Sequence, residues 1–261
     1  MDPTLVTGGV PTRRLVRLAC TAGALLLCSA LGACGDPVGP VDGAYCAARP
    51  DTAVVSFEDP MLTLAVHSTL SVSLRADLTC GMVEGLTSLS AASMGIVSIE
   101  GIENMTGLTR LWIRGNEITD ISPLRGLTGL TSLNLAANRI ADVEPLRGLT
   151  GLTFLAINDN RSITDIEVLR GLTRLTGTLW IGGNAISDLR PLSSLQDLTG
   201  LHAWDNSITS LDGLGSLTNL AILSIHTNWI TDVEALRDLA ALSSIRLQSN
   251  PDLIDVQALI D

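Results

Sequence analysis

The chain from residue 94 to 261 repeats one short pattern of apolar and polar positions. In the unit that contains Asn116, apolar side chains lie at positions 108, 111, 113, 118, 121 and 124. The asparagine recurs as Asn116, Asn138, Asn160, Asn184, Asn206, Asn228 and Asn250, and Met94 takes its place in a degenerate first unit. The step is 22 residues, except for 24 residues between Asn160 and Asn184. Eight units at this period predict a solenoid, in which each unit stacks on its neighbours.

The spacing within one unit predicts a short β-strand followed by a turn. Leu111 and Ile113 alternate with outward-facing positions, as in a strand with one buried side. Because no unit can bury that side alone, we expect the strands to stack into a parallel sheet. The asparagine lies where the chain turns away from the sheet. Its amide is expected to donate to and accept from backbone groups of the next coil, which would form a buried ladder.

An acidic residue also recurs once in each unit. The row consists of Asp120, Asp142, Asp165, Asp188, Asp232 and Asp255, with Ser210 in one unit. A row of carboxylates can indicate a calcium site, but one aspartate per coil does not supply the cluster of oxygens that calcium needs. We therefore favour a capping role at the start of each convex turn, where Pro123, Pro145 and Pro191 suit the first helical position.

The residue pattern of the repeat resembles that of a known family. The phrase Asn-x-Ile-Thr-Asp-Ile/Leu-x-Pro-Leu, clearest in the units of Asn116, Asn138 and Asn184, is similar to the 22-residue leucine-rich repeat of internalins and related bacterial surface proteins. The resemblance covers residues 94–261. It implies an α/β fold, a solenoid with a curved parallel sheet on its concave face and short helical or irregular convex segments. No immunoglobulin-like domain or wall-sorting motif is recognised, so the partners of internalins are not carried over.

Residues 51–93 resemble the α-helical N-terminal cap of the same family. Asp59 and Pro60 are typical of a helix start, and apolar residues follow at helical spacing. A cap is expected on physical grounds, because the first coil would otherwise expose its apolar core. His67 lies on this helix and is expected at the protein surface.

The first 33 residues have the composition of an export signal. Arg13, Arg14 and Arg17 precede an apolar run over residues 18–30, which is too short to span a bilayer. The run leads to Leu31-Gly32-Ala33-Cys34, which resembles the lipobox of bacterial lipoproteins. The resemblance implies cleavage before Cys34, lipidation of its thiol, and a membrane-anchored protein facing the periplasm or the cell surface. A plain secretory signal is the alternative. Residues 34–50, rich in proline and glycine, would form a flexible tether.

The net charge of the chain limits the classes of partner that it can bind. Beyond residue 33 the chain carries 13 arginines, no lysine and 26 carboxylate side chains, a net charge of −13. Such a surface repels nucleic acid and anionic headgroups, so a membrane is expected as a partner only through the lipid.

Apart from Cys34, the exported chain keeps Cys46 and Cys80, an even pair that indicates one disulfide. Two free thiols are the alternative, and two cysteines are too few for a metal site.

The outward-facing strand positions predict the ligand-binding surface, because in this class of repeat they line the concave face. The candidate residues are Arg110, Trp112, Arg114, Phe154, Trp180, His202, Trp204, His226 and Arg246, with Trp229 beside the ladder. Within this set, one continuous patch is expected from Trp180, His202, Trp204, His226 and Trp229, with a shallow floor of Ala136, Ala156, Gly182 and Gly200 beside it. Exposed tryptophans on a rigid surface are typical binding anchors. The alternative is that these rings pack on one another and only stiffen the sheet.

This surface favours recognition of a protein or peptide ligand. A carbohydrate-binding module of the cell envelope is one alternative, since tryptophan rings stack on sugars, and a self-associating structural protein is another. His202 and His226 lie one coil apart, but neither a third metal ligand nor an orienting group is evident. The sequence therefore predicts no metal, no cofactor and no catalytic site, and the chain is expected not to be an enzyme.

Overall fold

Residues 46–254 and 256 are described by the computed structural model, and they contain one sheet of eight parallel strands. The strands are β1 (Ser88–Ser90), β2 (Arg110–Trp112), β3 (Ser132–Asn134), β4 (Phe154–Ala156), β5 (Gly177–Trp180), β6 (Leu198–His202), β7 (Ile222–Ser224) and β8 (Ser244–Arg246). They follow one another in chain order across the sheet. The predicted α/β leucine-rich-repeat solenoid is therefore confirmed. Its sheet begins at Ser88, within the range 51–93 that the sequence assigned to the cap.

Short 3₁₀ turns connect the strands on the convex side. They span Ile102–Asn104, Ser122–Leu124, Glu144–Gly148, Glu167–Gly171, Arg190–Ser194 and Glu234–Leu236, and a further one lies at Cys46–Ala48. Asp120 precedes the second of these turns, and its Oδ1 accepts a 2.7 Å hydrogen bond from the backbone N–H of Ser122. The same bond is made by Asp142, Asp165, Asp188 and Asp232, and by the Ser210 hydroxyl. Each acidic residue thus lies one position before the N-cap residue and pairs the first backbone N–H of its turn, as in an Asx turn, so the predicted role at the start of the turn holds but the predicted N-cap position does not. Asp255 lies outside the described residues.

The inward side of each strand forms the core. Its central leucine is at most 1% exposed in seven successive strands: Leu89, Leu111, Leu133, Leu155, Leu179, Leu201 and Leu223. Ile245 holds the same position in β8 and is only partly buried. Full burial of a leucine side chain contributes about 1.5–3 kcal/mol, so the stacked leucines are the main source of cohesion between coils.

The repeated asparagine satisfies the backbone where each strand ends. The amide Nδ2 of Asn138 donates to the carbonyl of Leu135 in its own coil at 3.0 Å and to the carbonyl of Ile113 at 3.1 Å. Its Oδ1 accepts from the N–H of Ile118 at 3.2 Å. Ile113 and Ile118 belong to the preceding coil, so the expectation that the amide bonds to the next coil is wrong. The Ile113 carbonyl also accepts from the amide of Asn116 in its own coil at 2.9 Å, so each carbonyl of this row is shared by two successive asparagines.

One rung of this ladder is incomplete. Asn184 donates through Nδ2 to Ile157 and Ile181, each at 3.0 Å, but its buried Oδ1 has no hydrogen-bond partner. The preceding coil is the long one. In a regular coil the second residue after the asparagine donates this bond, as Ile140 does to Asn160 at 3.0 Å. The extra residue near Ser162 moves the corresponding isoleucine one position further along, so its N–H no longer meets the amide.

The N-terminal cap consists of helix α1 (Pro60–Leu70) and the short helix α2 (Cys80–Glu84). Asp59 caps α1, since its Oδ1 accepts from the N–H groups of Met61 and Leu62 at 2.7 and 3.3 Å. Its Oδ2 accepts from Val97 and Ser98 at 2.7 and 3.3 Å, which joins the cap to the first coil. One buried carboxylate therefore fixes both the start of the helix and its attachment.

The disulfide predicted between Cys46 and Cys80 is present, with a Cα–Cα distance of 5.3 Å. It ties the first described turn to the start of α2. His67 is not at the surface as expected, because it is only 4% exposed. The helix buries the adjacent residues Val66 and His67, so its packed side is wider than a single apolar stripe. No helix among the described residues has both the length and the apolar character needed to cross a membrane.

The incomplete rung gives a test of the ladder. Asn138→Ala is expected to lower the free energy of unfolding by roughly 2–4 kcal/mol, because it leaves buried backbone groups unpaired. Asn184→Ala should cost about 1 kcal/mol less, since its Oδ1 has no bond to lose. Urea unfolding followed by circular dichroism measures both, with the exposed Asn219→Ala as the control. Equal losses at positions 138 and 184 would contradict the role assigned to Oδ1.

The carboxylate of Asp59 predicts a pH dependence of stability. Burial raises the pKa of Asp59, but the four backbone N–H groups together lower it more, so the net pKa lies below the ordinary value of 3.8. A carboxylate with a lowered pKa stabilises the folded chain above its unfolded-state pKa, and this contribution is lost as the pH falls through the folded-state pKa.

Asp59→Ala is accordingly expected to lower the free energy of unfolding by roughly 2–3 kcal/mol at pH 7. The difference from the wild type should shrink as the pH falls below about 4, where the carboxylate of the unfolded chain begins to be protonated, and should go on shrinking until the pH is below the lowered folded-state pKa. Unfolding in urea at pH 7, 4 and 3 checks this, with Asp77→Ala as an exposed control in the same cap. A difference that stays constant with pH would show that the carboxylate charge does not matter.

Candidate functional site

The strands place the predicted candidate residues on one side of the sheet, the concave face, in three rows. The register aligns Arg110 with Ser132 and Phe154 in the first row. The second row is the most continuous, since each member is paired with the next across adjacent strands: Trp112, Asn134, Ala156, Trp180, His202, Ser224 and Arg246. Backbone hydrogen bonds just beyond the strands set the third row, which contains Arg114, Ala136, Gly182, Trp204 and His226.

Two tryptophan–histidine stacks occupy the middle of this face. The rings of Trp180 and His202 lie 4.0 Å apart between centroids with an interplanar angle of 13°. The rings of Trp204 and His226 are 6.1 Å apart at 8°. Trp180 and His202 lie on the neighbouring strands β5 and β6, and Trp204 and His226 lie two residues after β6 and β7, so the backbone of the sheet fixes the positions of all four rings. Their exposed faces form an apolar surface bordered by ring nitrogens.

Gly182 provides the space for Trp204. A Cβ atom at Gly182 would lie 2.5 Å from the Cε2 atom of the Trp204 ring, so only glycine allows the ring to lie there. Gly182 is therefore covered and does not belong to an open floor, as the sequence had suggested. The Thr178 side chain similarly crowds Gly200, with its hydroxyl oxygen 2.6 Å from an added Cβ. The expectation that these two glycines form a shallow floor is wrong, because a neighbouring side chain fills each space.

The two alanines of the expected floor do line a pocket. It has a volume of about 330 Å³ and is lined by Arg114, Asn134, Ala136, Ala137, Phe154, Ala156, Asn158, Asp159 and Trp180. This volume is at the lower end of the range for ligand pockets. Phe154 and Trp180 contribute the aromatic lining. Asp159 contributes a carboxylate whose Oδ2 accepts from the Asn158 amide at 2.6 Å.

Sequence reasoning missed Asp159. It follows the third-row position and adopts a left-handed conformation with φ of 60°, which aspartate tolerates better than most residues. The following Arg161 is also left-handed, with φ of 65°. The 24-residue step marked this coil as irregular. Asp159 itself holds a regular position, since the residue before the ladder asparagine is left-handed in every coil, so the period was the signal that could have located its carboxylate.

The arginines of the concave face differ from those of the convex turns. Within residues 46–254, the ion pairs are Arg139–Glu117, Arg147–Glu144, Arg170–Glu167, Arg190–Asp188 and Arg237–Glu234. None of these pairs includes Arg110, Arg114 or Arg246, all of which are exposed. Arg110 lies 6.0 Å from the centroid of the Trp112 ring, a cation–π contact, and the Nε1 of that ring donates to Ser132 at 3.1 Å.

Trp229 is the one tryptophan of the expected patch that lies outside both stacks. It follows the ladder residue Asn228, and its backbone N–H donates to Ile208 beyond the end of the strand. Its side chain is 54% exposed. The structure thus brings four of the five patch residues together in two pairs and leaves Trp229 at the flank.

The environment of His202 is cationic. Burial lowers the pKa of His202 first, and the charges of Arg246 and His226 lower it further. His202 therefore stays neutral at pH 7 and can keep its stacked position on Trp180 without a charge. No cluster of three or more metal-ligating side chains occurs in the described part of the chain.

Comparison with known proteins agrees with this geometry. A family model described as leucine-rich repeats (two copies) matches residues 128–171 and 196–238. The crystal structure of internalin C2 from Listeria monocytogenes is 34% identical with a TM-score of 0.61, and the match covers 76% of this chain and 99% of that one. The chain belongs to the internalin family of leucine-rich-repeat proteins. A comparison with curated protein sequences gives no significant match.

More distant solved structures share the fold of this internalin-like chain. A leucine-rich-repeat protein of Leptospira interrogans is 22% identical, with a TM-score of 0.56 over 63% of this chain and 45% of that one. The ectodomain of the Arabidopsis thaliana receptor kinase GASSHO1/SCHENGEN3 is 19% identical, with a TM-score of 0.57 over 67% and 23% of the two chains. The internalin-like fold supports a protein-interaction scaffold, a type of fold that is typically non-enzymatic.

Proposed function

We propose that this internalin-like protein is an exported, lipid-anchored binding protein that recognises a protein or peptide through its concave face. The observation that carries the proposal is the pair of Trp–His stacks set among arginines without ion pairs on rigid parallel strands. Tryptophan and arginine are enriched among the residues that dominate protein-binding energy. Several arginines of the convex turns pair with a carboxylate of the same turn, as Arg147 does with Glu144 and Arg170 with Glu167.

The backbone geometry favours binding over mere stiffening of the sheet. All four stacked rings come from β5, β6 and the residues just after β6 and β7, so their positions are set before a ligand arrives. Preorganised side chains lose little conformational entropy on binding, which leaves more of the interaction energy as affinity. The pocket between Phe154 and Trp180 adds a recess in which one ligand side chain can be buried.

Export and anchoring rest on the N-terminal sequence and on the family. A Listeria internalin is similar over nearly its whole length, and such relatives suggest an exported or surface protein. Cys34 lies outside the described residues. Its place after Leu31-Gly32-Ala33 supports lipidation, which would hold the solenoid at the membrane.

The binding surface is tested by capture from a detergent extract of the host envelope with the purified full chain as bait. The Trp180→Ala/Trp204→Ala variant is expected to retain at least about tenfold less ligand, since hot-spot tryptophans contribute about 2 kcal/mol or more. Gly182→Ala should weaken capture as well, because it displaces the Trp204 ring without removing it. Leu74→Ala, an exposed apolar change in the cap, is the matched control, and all variants must show the same urea midpoint within the scatter of replicate measurements, apart from a modest shift for Gly182→Ala.

The same capture distinguishes the kinds of ligand. Loss of the captured species after protease treatment of the extract, together with its dependence on Arg110, Arg114 and Arg246, supports a protein ligand. Retention after protease treatment and in the triple arginine-to-glutamine variant would identify a glycan. Capture that is equal for the wild type and the double tryptophan variant would remove the concave face as the binding surface, and concentration-dependent size of the bait alone would favour self-association.

The anchor has a separate test. Cys34→Ser is expected to move the protein from the membrane pellet to the soluble extracytoplasmic fraction, because the thiol that carries the lipid is gone while the export signal remains. Fractionation and immunoblotting of host cells measure the distribution. A Cys34→Ser protein that stays in the pellet to the wild-type extent would rule out anchoring through this cysteine.

A further inference from the structure

Arg246, at one end of the concave face, is exposed and is in no ion pair with the described carboxylates. Arg246 is aligned with Ser224 on the neighbouring strand, and Ser224 is aligned with His202 on the strand beyond. Adjacent strands are about 4.8 Å apart, so these residues lie within about 10 Å. Arg246 is in none of the ion pairs found in residues 46–254. Arg246 is thus an arginine without an ion pair in a chain whose net charge is −13 beyond residue 33.

The electrostatics of His202 are consistent with this arrangement. After burial, the contributions that lower the pKa of His202 come from Arg246 and His226. An anionic group placed beside His202 would therefore be attracted by Arg246, and none of the described carboxylates contributes an opposing effect on the pKa of His202.

Ser224 supplies a second and independent observation. Its neighbours Leu223 and Ile225 are completely buried on the inner side of the strand, so the Ser224 side chain points to the concave face. The residue is nevertheless only 2% exposed, and its hydroxyl has no hydrogen-bond partner. Buried hydroxyl groups are normally hydrogen-bonded, so a lone donor beside an arginine without an ion pair points to a missing acceptor.

We propose that Arg246, Ser224 and His226 form an anion subsite that binds a carboxylate side chain of an acidic peptide segment in the ligand. This inference rests on the proposed function, because it assigns a chemistry to part of the same concave face. A guanidinium binds a carboxylate through two parallel hydrogen bonds, and the Ser224 hydroxyl would donate a third. His226 lies in the third row, two residues after the end of β7, and stacks on Trp204.

The surroundings favour a short acidic segment of a protein over a long polyanion. The subsite contains one arginine, and the overall negative charge of the chain repels extended polyanions such as nucleic acid or sulfated glycan. The rings of Trp180 and Trp204 adjoin the subsite and offer apolar contact to residues that flank the carboxylate. A segment that combines acidic and apolar side chains therefore matches both the charge and the rings.

The probe for this proposal is a fluorescein-labelled decapeptide of glutamate, titrated with the full chain at pH 7 and low ionic strength. Fluorescence anisotropy should show saturable binding. Arg246→Gln is expected to weaken it about tenfold or more, and Ser224→Ala about threefold. Arg174→Gln is the matched control, since it removes one exposed charge just before β5 and should change the dissociation constant less than about twofold.

Further arms identify the chemistry that is bound. A glutamine decapeptide should not bind, because it lacks the charge. Saturable binding of inorganic phosphate or of a heparin fragment that depends on Arg246, without binding of decaglutamate, would overturn the peptide assignment. Absence of decaglutamate binding, or equal losses in Arg246→Gln and Arg174→Gln, would also overturn it.

Failure of the subsite can be told apart from failure of the proposed function. Ser224→Ala removes an unpaired hydroxyl, so the urea midpoint should stay within the scatter of replicate measurements, whereas a purely structural serine would shift it. If the Trp180→Ala/Trp204→Ala variant no longer captures the native ligand and the wild type does not bind decaglutamate, the anion subsite is contradicted and the proposed function is kept. If the double tryptophan variant captures as much ligand as the wild type, the concave face is not the binding surface, and the proposed function fails whether or not decaglutamate binds.

Discussion

Each coil depends on its neighbour to bury the strand leucine that it cannot bury alone. The leucines of β1 to β7 are buried only because the strands stack in one register, and that stacking forces the backbone to turn sharply after every strand. A sharp turn leaves carbonyl and N–H groups inside the protein, where an unpaired group costs about 1–3 kcal/mol. The asparagine amide forms hydrogen bonds with these backbone groups where the strand ends, and the aspartate carboxylate does so at the start of the convex turn. The cap does the same for the first coil through the carboxylate of Asp59.

Features that follow from the period could be predicted from the sequence. A fixed step determines which residues share a row, and the register found for Trp112, Trp180 and Arg246 follows directly from it. The same logic located the asparagine ladder and the capping bonds of the acidic row, because both recur at one place in every coil. Most residues of the candidate site could therefore be predicted from the sequence alone.

Features that depend on side-chain packing could not be predicted in this way. The period places Gly182 and Trp204 in one row, but it does not say that the ring lies over the glycine. It likewise does not say that the ladder amides bond to the preceding coil, or that His67 is buried on α1. These contacts depend on side-chain rotamers and on how one helix packs, and neither produces a repeating pattern in the sequence.

The irregular coil connects these two kinds of feature. Only Ala156 and Trp180 are paired in register between β4 and β5, whereas β2 and β3 share three aligned pairs. The same coil contains the left-handed Arg161, at a position that is not left-handed in the other described coils with a ladder asparagine, and leaves the Asn184 oxygen without a partner. Asp159 and Trp180 also line the pocket of about 330 Å³. The extra residues of this coil leave one rung of the ladder incomplete and remove two aligned strand pairs beside the pocket. Asp159, Phe154 and Trp180 nevertheless hold positions that recur in every coil, so the period fixes where these lining residues lie, and the residue types at those positions give the pocket its carboxylate and its two aromatic rings.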